Sequence, residues 1–118
     1  IFKILTKSLN LVKLRKAKEE AKEIEGMSVV STSESYIEAT QIKAQKGIAL
    51  KEDAKEHGIK LEETIAIGDN ENDTSMLKIS EIQSIAMGNA VENIKKICKY
   101  ETKPNDEDGV AYVIDHLL

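Results

Sequence analysis

The run "TIAIGD", residues 64–69, limits the possible folds of this chain more than any other stretch. It is too short for a helix, and its apolar residues are consecutive rather than alternating. It stops at a glycine, directly before a cluster of side-chain oxygens. Short apolar runs of this kind are strands of a parallel sheet buried on both faces. Another strand, "IQSIAMG", follows at residues 82–88. Helical patterns surround them. One runs from Gly47 to His57 and is closed by Gly58, and another runs from Asp73 to Ile79. Asn89 and Glu92 resemble a capping box ahead of a third, with Val91, Ile94 and Ile97 on one face. Val110, Val113, Ile114 and Leu117 mark a closing helix, and "YETKPNDEDG" between these last two is a loop. From residue 46 onward helices and strands alternate, which predicts an α/β architecture with a parallel sheet.

The first third of the chain reads differently. "IFKILTK" is a β-prone strand. "NLVKLRKAKEEAKEIEG" is an amphipathic helix, with Leu14, Ala17, Ala21 and Ile24 at helical spacing, Asn10 as N-cap and Gly26 as stop. "MSVVSTS" and "SYIEATQ" form a hairpin turning near residues 33–35. The expectation is a β-α-β-β unit, whose charge run "KLRKAKEEAKE" is the solvated face of its helix. A polar bridge, "QIKAQ", leads to Lys46.

Composition narrows the function. A net charge of −4 argues against nucleic acid or an anionic membrane as partner, and 3% aromatic residues is too few for a base-stacking platform. No stretch has the length of a membrane span, and no signal-peptide pattern is present. The single cysteine, Cys98, lies on an apolar helix face and reads as a buried core thiol. These features predict a cytoplasmic protein. The chain opens on Ile1, already inside a strand pattern, which leads to the expectation of a piece of a longer protein.

Five consecutive residues after the glycine carry side-chain oxygens: Asp69, Asn70, Glu71, Asn72 and Asp73. Ligands of open parallel sheets bind beyond the carboxyl ends of the strands, which is where Asp69 stands. Asp73 follows four residues later, at a helix start, and a tight loop brings both toward one point. Two hard carboxylates plus water suit Mg²⁺. The plainer alternative is that Asn72 or Asp73 caps the helix, but capping does not account for all five residues. A calcium hand is excluded, because its sixth and twelfth positions require Gly and Glu and here hold Thr74 and Ser80. Lys46, at the head of a helix, offers an ammonium to an anion near the same sheet edge. "NDEDGVA", residues 105–111, has the shape of a phosphoryl-accepting Asp-x-Asp-Gly motif. No apolar strand precedes it, so Asp108 reads as a helix cap.

"GDNENDTSML" followed by "IAMGNA" resembles the fourth motif of the haloacid dehalogenase superfamily, and most closely its Cof-like sugar-phosphatase branch. "KG" at Lys46 and Gly47 resembles the third motif, although "KAQKG" lacks the glycine that often comes shortly before that lysine. "NDEDGVA" resembles the family's C-terminal Glu-Asp-Gly-Val-Ala segment. The resemblance implies a partial Rossmann-like three-layer core with a parallel sheet over residues 43–118. Before it, over residues 1–42, would lie the closing β-α-β-β part of an α/β cap domain. It implies Mg²⁺ as cofactor, held by Asp69 with Asp73 as a direct or water-mediated partner. Lys46 would neutralise the phosphoryl oxygens. Asn72 would steady the loop and contact phosphate, and Asn105 would lie near the phosphate.

The implied substrate is a small phosphorylated metabolite, most simply a sugar phosphate, hydrolysed through an aspartyl-phosphate. The family's nucleophile motif, Asp-x-Asp-Gly-Thr after an apolar strand, does not occur in this sequence, and covalent catalysis requires its nucleophile. The expectation is a chain inactive alone. By the family's architecture the strand at residues 64–67 would lie beside the first core strand. Left without it, that apolar edge would favour self-association or a partner carrying the other half. The alternative is a non-catalytic binding or assembly module, or a relic.

Overall fold

A computed structural model describes residues 3–117, and the chain forms two compact units that divide between Gln45 and Lys46. The division falls three residues beyond the boundary expected from sequence.

The first unit contains strand β1 (Lys3–Lys7), helix α1 (Leu11–Lys22), and strands β2 (Met27–Ser33) and β3 (Tyr36–Gln41). Residues 1 and 2 of the expected first strand lie outside the described residues. The sheet is antiparallel in the order β1-β3-β2, with Leu5 opposite Glu38, Val29 opposite Ala39 and a register shift between Ser31 and Ser33. α1 packs on β2 and β3, and Leu14, Val29, Ile37 and Ala39 are buried. The Asn10 side chain accepts from the Lys13 N–H at 3.0 Å, the expected N-cap. Of the four apolar positions expected on one helix face, only Leu14 is buried, and Ala17 and Ile24 are exposed. The helix ends at Lys22. The N–H groups of Glu23 and Ile24 bond three residues back, to Glu20 and Ala21, and this tightening swings Ile24 off the helix face. Gly26, at φ 80°, then turns the chain into β2 in a conformation that favours glycine.

The second unit alternates as the sequence predicts. It comprises α2 (Lys46–Glu56), β4 (Ile65–Gly68), α3 (Thr74–Leu77), β5 (Gln83–Ala86), α4 (Glu92–Ile97), β6 (Tyr100–Glu101) and α5 (Gly109–Leu117). The sheet is parallel in the order β4-β5-β6, with Ile65 beside Gln83 and Ile85 beside Tyr100. One core cluster joins Ala66, Leu77, Ile79, Ile82, Ala86, Met87, Ala90 and Ile94. Lys99 clips the sheet, since its Nζ donates to the carbonyls of Ser80 and Ile82.

Several local expectations are corrected. The segment expected as a loop after residue 99 holds β6, because its N–H groups find the carbonyl row of β5: Thr102 N–H donates to Ala86. α3 ends at Leu77, not Ile79. The Asn89–Glu92 capping box is not formed. α4 starts after Val91 with no side-chain cap, and the Asn89 side chain is used elsewhere. On α4 only Ile94 is buried, and on α5 only Gly109 and Val113. β4 is half-covered rather than buried on both faces, because Ala66 and Gly68 are buried while Ile65 and Ile67 are partly open. Among the described residues β4 is an edge strand with one neighbour. Cys98 is half-buried, just past the end of α4, where burial pushes its thiol up despite a hydrogen bond with Ser84.

Candidate phosphate and metal site

Three turns leave the carboxyl ends of β4, β5 and β6. The turn after β4 is the most constrained. Asn70 closes it locally, its Oδ1 accepting from the Glu71 N–H at 2.8 Å. Residues Glu71–Asp73 form a single 3₁₀ turn, and the chain passes directly into α3. Neither Asn72 nor Asp73 caps α3 through its side chain, so the capping alternative falls to Asn70 acting on the 3₁₀ turn.

Asp73 lies at the centre. It is 4% exposed, an unusual degree of burial for a carboxylate unless it is paired. Its Oδ2 accepts from the N–H groups of Asp69 at 2.9 Å and Asn70 at 3.2 Å, and its Oδ1 meets the Lys46 Nζ at 2.5 Å. Burial acts to raise its pKa. The Lys46 ammonium and the two N–H donors outweigh burial and hold the carboxyl below its ordinary value. Gly68 makes room for this arrangement, since a Cβ there would lie 2.7 Å from the Asp73 Cβ and 2.8 Å from its Oδ2.

Lys46 opens α2, and its side chain is half-exposed. The residue after it, Gly47, donates its N–H to the Ser75 Oγ at 3.0 Å. A Cβ on Gly47 would come within 2.3 Å of the Ser75 carbonyl oxygen, so only glycine lets the two backbones approach this closely. α2 and α3 pack against each other here.

The other two turns are tied to the first. The Met87 N–H donates to the Gly68 carbonyl, and the Val91 N–H to the Asp69 carbonyl at 3.0 Å. The Gly88 N–H donates to Lys103, and the Asn105 N–H to the Asn89 Oδ1 at 2.8 Å. Asn105 is thereby fastened to the turn after β5, at the same edge of the sheet as Asp69. Asn72 lies half-buried in the 3₁₀ turn. The structure therefore brings Lys46, Asp73 and the Asp69 backbone into direct contact and carries Asn105 on an adjoining turn. Sequence reasoning counted Asn70 only as one of five adjacent side-chain oxygens, assigned Asn89 to a helix cap, and missed Ser75, which gave no signal.

Asp69 differs from Asp73. It is exposed, and among the described residues no hydrogen bond or ion pair engages its carboxylate. Among the described residues no group of three or more His, Cys, Asp or Glu gathers around a point. Mg²⁺ needs only one or two protein carboxylates, with water and phosphate completing its shell. One open carboxylate, that of Asp69, is compatible with this requirement. Asp73 is already committed to Lys46 and two N–H groups.

The sequence profile of haloacid dehalogenase-like hydrolases matches residues 1–114. The chain is 41% identical over 118 residues to the 5-amino-6-(5-phospho-D-ribitylamino)uracil phosphatase YwtE of Bacillus subtilis, covering 100% of this chain and 41% of that protein. A solved haloacid dehalogenase-like hydrolase from B. subtilis superposes with a TM-score of 0.93 at 44% identity, over 99% of this chain and 41% of its own length. The subclass IIB sugar phosphatase BT4131 superposes with a TM-score of 0.81 at 29% identity, over 98% of this chain and 43% of its own. The chain thus spans well under half the length of each.

Proposed function

The chain belongs to the haloacid dehalogenase-like hydrolase family, and from that premise we propose that it carries the charge-neutralising half of a Mg²⁺-dependent phosphatase site. The observation that carries this reading is the contrast between two carboxylates four residues apart. Asp73 is buried and fixed on Lys46, while Asp69 is exposed at the strand end and, among the described residues, its oxygens are uncommitted.

In this reading Asp69 would hold the metal, with Asp73 as a direct or water-mediated partner that also keeps Lys46 in place. Bound Mg²⁺ would supply charge neutralisation at the phosphoryl oxygens. Lys46 presents its ammonium to the same oxygens, and an Asp73 that stays ionised keeps that ammonium oriented. Asn72 steadies the loop and offers an amide to the phosphate, and Asn105 contributes from the turn after β6. The substrate class is a small phosphorylated metabolite. A sugar or polyol phosphate is the best candidate, in keeping with the names of the two phosphatases above. Hydrolysis through an aspartyl-phosphate requires an aspartate that this sequence does not contain, so residues 1–118 alone are inactive.

The first unit corresponds to part of a cap and the second to part of the core. No helix among the described residues is long and apolar enough to cross a membrane. Among the described residues β4 is an edge strand, and its four residues carry no charge, which leaves it open to pairing. It takes either a second copy or a partner strand.

The test is Mg²⁺-dependent hydrolysis of a generic phosphomonoester by the natural protein containing this chain. Asp69→Ala is expected to abolish it. Full activity in that variant would overturn the assignment of Asp69. Light scattering of the isolated chain is expected to show association, and a monodisperse monomer at high concentration would contradict the edge-pairing proposal.

A further inference from the structure

The first turn of a helix leaves backbone N–H groups without partners, and they are usually satisfied by a Ser, Thr, Asp or Asn immediately before it. α2 has no such residue. Gln45 precedes it, and the Gln45 side-chain amide donates instead to the Ser28 Oγ at 3.1 Å. The acceptor comes from 28 residues further along the chain: the Ser75 Oγ receives the Gly47 N–H at 3.0 Å. The close approach of Gly47 to the Ser75 carbonyl fixes the two backbones at the same point.

We propose that Ser75 is a positioning residue, whose hydroxyl caps α2 from the neighbouring helix and so fixes where Lys46 presents its ammonium. The proposal rests on the reading of Lys46 as the group that faces phosphate. Two contacts close a small ring: Lys46 Nζ on Asp73 Oδ1, and Gly47 N–H on Ser75 Oγ. Only one residue separates Asp73 from Ser75, and none separates Lys46 from Gly47. The ion pair by itself is a poor locator. The Lys46 side chain is 51% exposed, and a half-exposed lysine on a long flexible stem is weakly held. Anchoring the backbone one residue away removes the freedom of the stem's root. Ser75 thus acts on Lys46 through α2, and touches neither metal nor phosphate in this scheme.

The experiment uses the whole chain and NMR of lysine side-chain ammonium groups at neutral pH and low temperature, where freely solvated ammonium protons exchange too fast to appear. Wild type is expected to show a Lys46 signal beside that of Lys99, whose Nζ donates to two carbonyls. In Ser75→Ala the Lys46 signal is lost, the Lys99 signal remains, and the Gly47 amide exchanges about fivefold faster, as befits one lost hydrogen bond. Ser75→Thr, which keeps the hydroxyl, restores both. If Ser75→Ala does not fold, Ser75→Cys, a weak acceptor of nearly the same size, is read by the same criteria. A Lys46 signal that survives removal of the hydroxyl, or that is missing from wild type, overturns the proposal. The functional reading of Lys46 fails separately. It fails if inorganic phosphate with Mg²⁺ leaves the wild-type Lys46 signal unmoved, whatever Ser75→Ala does.

Discussion

Replacing Asp73 by alanine tests the centre of the site. The substitution removes the acceptor for the Asp69 and Asn70 N–H groups and the partner of Lys46. A hydrogen bond to a charged acceptor contributes about 1.5 kcal/mol at the low end, so the two N–H bonds together contribute about 3 kcal/mol. The Lys46 pair adds no more than about 1 kcal/mol, because the lysine is half-exposed and solvent replaces much of the interaction. The expected loss is therefore roughly 3–4 kcal/mol. Asp73→Asn keeps the shape and one acceptor oxygen for the N–H groups, and is expected to cost about half as much. The assay is urea unfolding followed by the methyl signals of Ile82, Ile85 and Ile94, which are buried in the second unit. An alanine variant within about 1 kcal/mol of wild type would refute the argument. An asparagine variant as damaging as alanine would also do so, by showing that charge rather than N–H satisfaction dominates.

Three further outcomes follow from the same contacts. Asp73 has a lowered pKa in the folded chain and an ordinary value of 3.8, so its stabilisation is complete above that value and is lost as pH falls through the folded one; acid unfolding below about pH 4 is expected to be steeper in wild type than in Asp73→Asn, and identical slopes would contradict the shift. Gly68→Ala places a Cβ 2.7 Å from that of Asp73 and is expected to cost about 1–3 kcal/mol in thermal unfolding, with a neutral result counting against the packing described. Lys99→Met removes two hydrogen bonds to the carbonyls of Ser80 and Ile82 and is expected to cost about 1–2 kcal/mol while leaving any Mg²⁺ response intact; a lost Mg²⁺ response would mean that the site depends on this distant clip.

The hydrophobic pattern carried the architecture. "TIAIGD" and "IQSIAMG" are short strands alternating with helices, and that alternation dictated parallel pairing, although β4 is only half-covered and not buried on both faces as its run of apolar residues suggested. β6 was not legible. Its two residues are exposed, and they become a strand only because β5 offers a carbonyl row beside them. Local spacing also misled at Asn89, where a capping box was available in sequence but the amide pairs with Asn105, 16 residues away. The oxygen-rich stretch read as a candidate ligand loop, but nothing in it distinguished Asp73 from its other two carboxylates, Asp69 and Glu71. Burial and two backbone N–H groups single out Asp73, and neither is written in residue spacing. Ser75 was invisible for the same reason, because its partner lies 28 residues earlier.

The most direct test of the central claim is a Mg²⁺ titration of the isolated chain, followed by its thermal unfolding midpoint. A cation that binds only the folded state with a Kd of about 1 mM adds roughly 1.4 kcal/mol at about 10 mM, which is several degrees for a unit of this size. The account predicts that rise in wild type and its absence in Asp69→Ala. No rise in wild type, or an equal rise in Asp69→Ala, would contradict it.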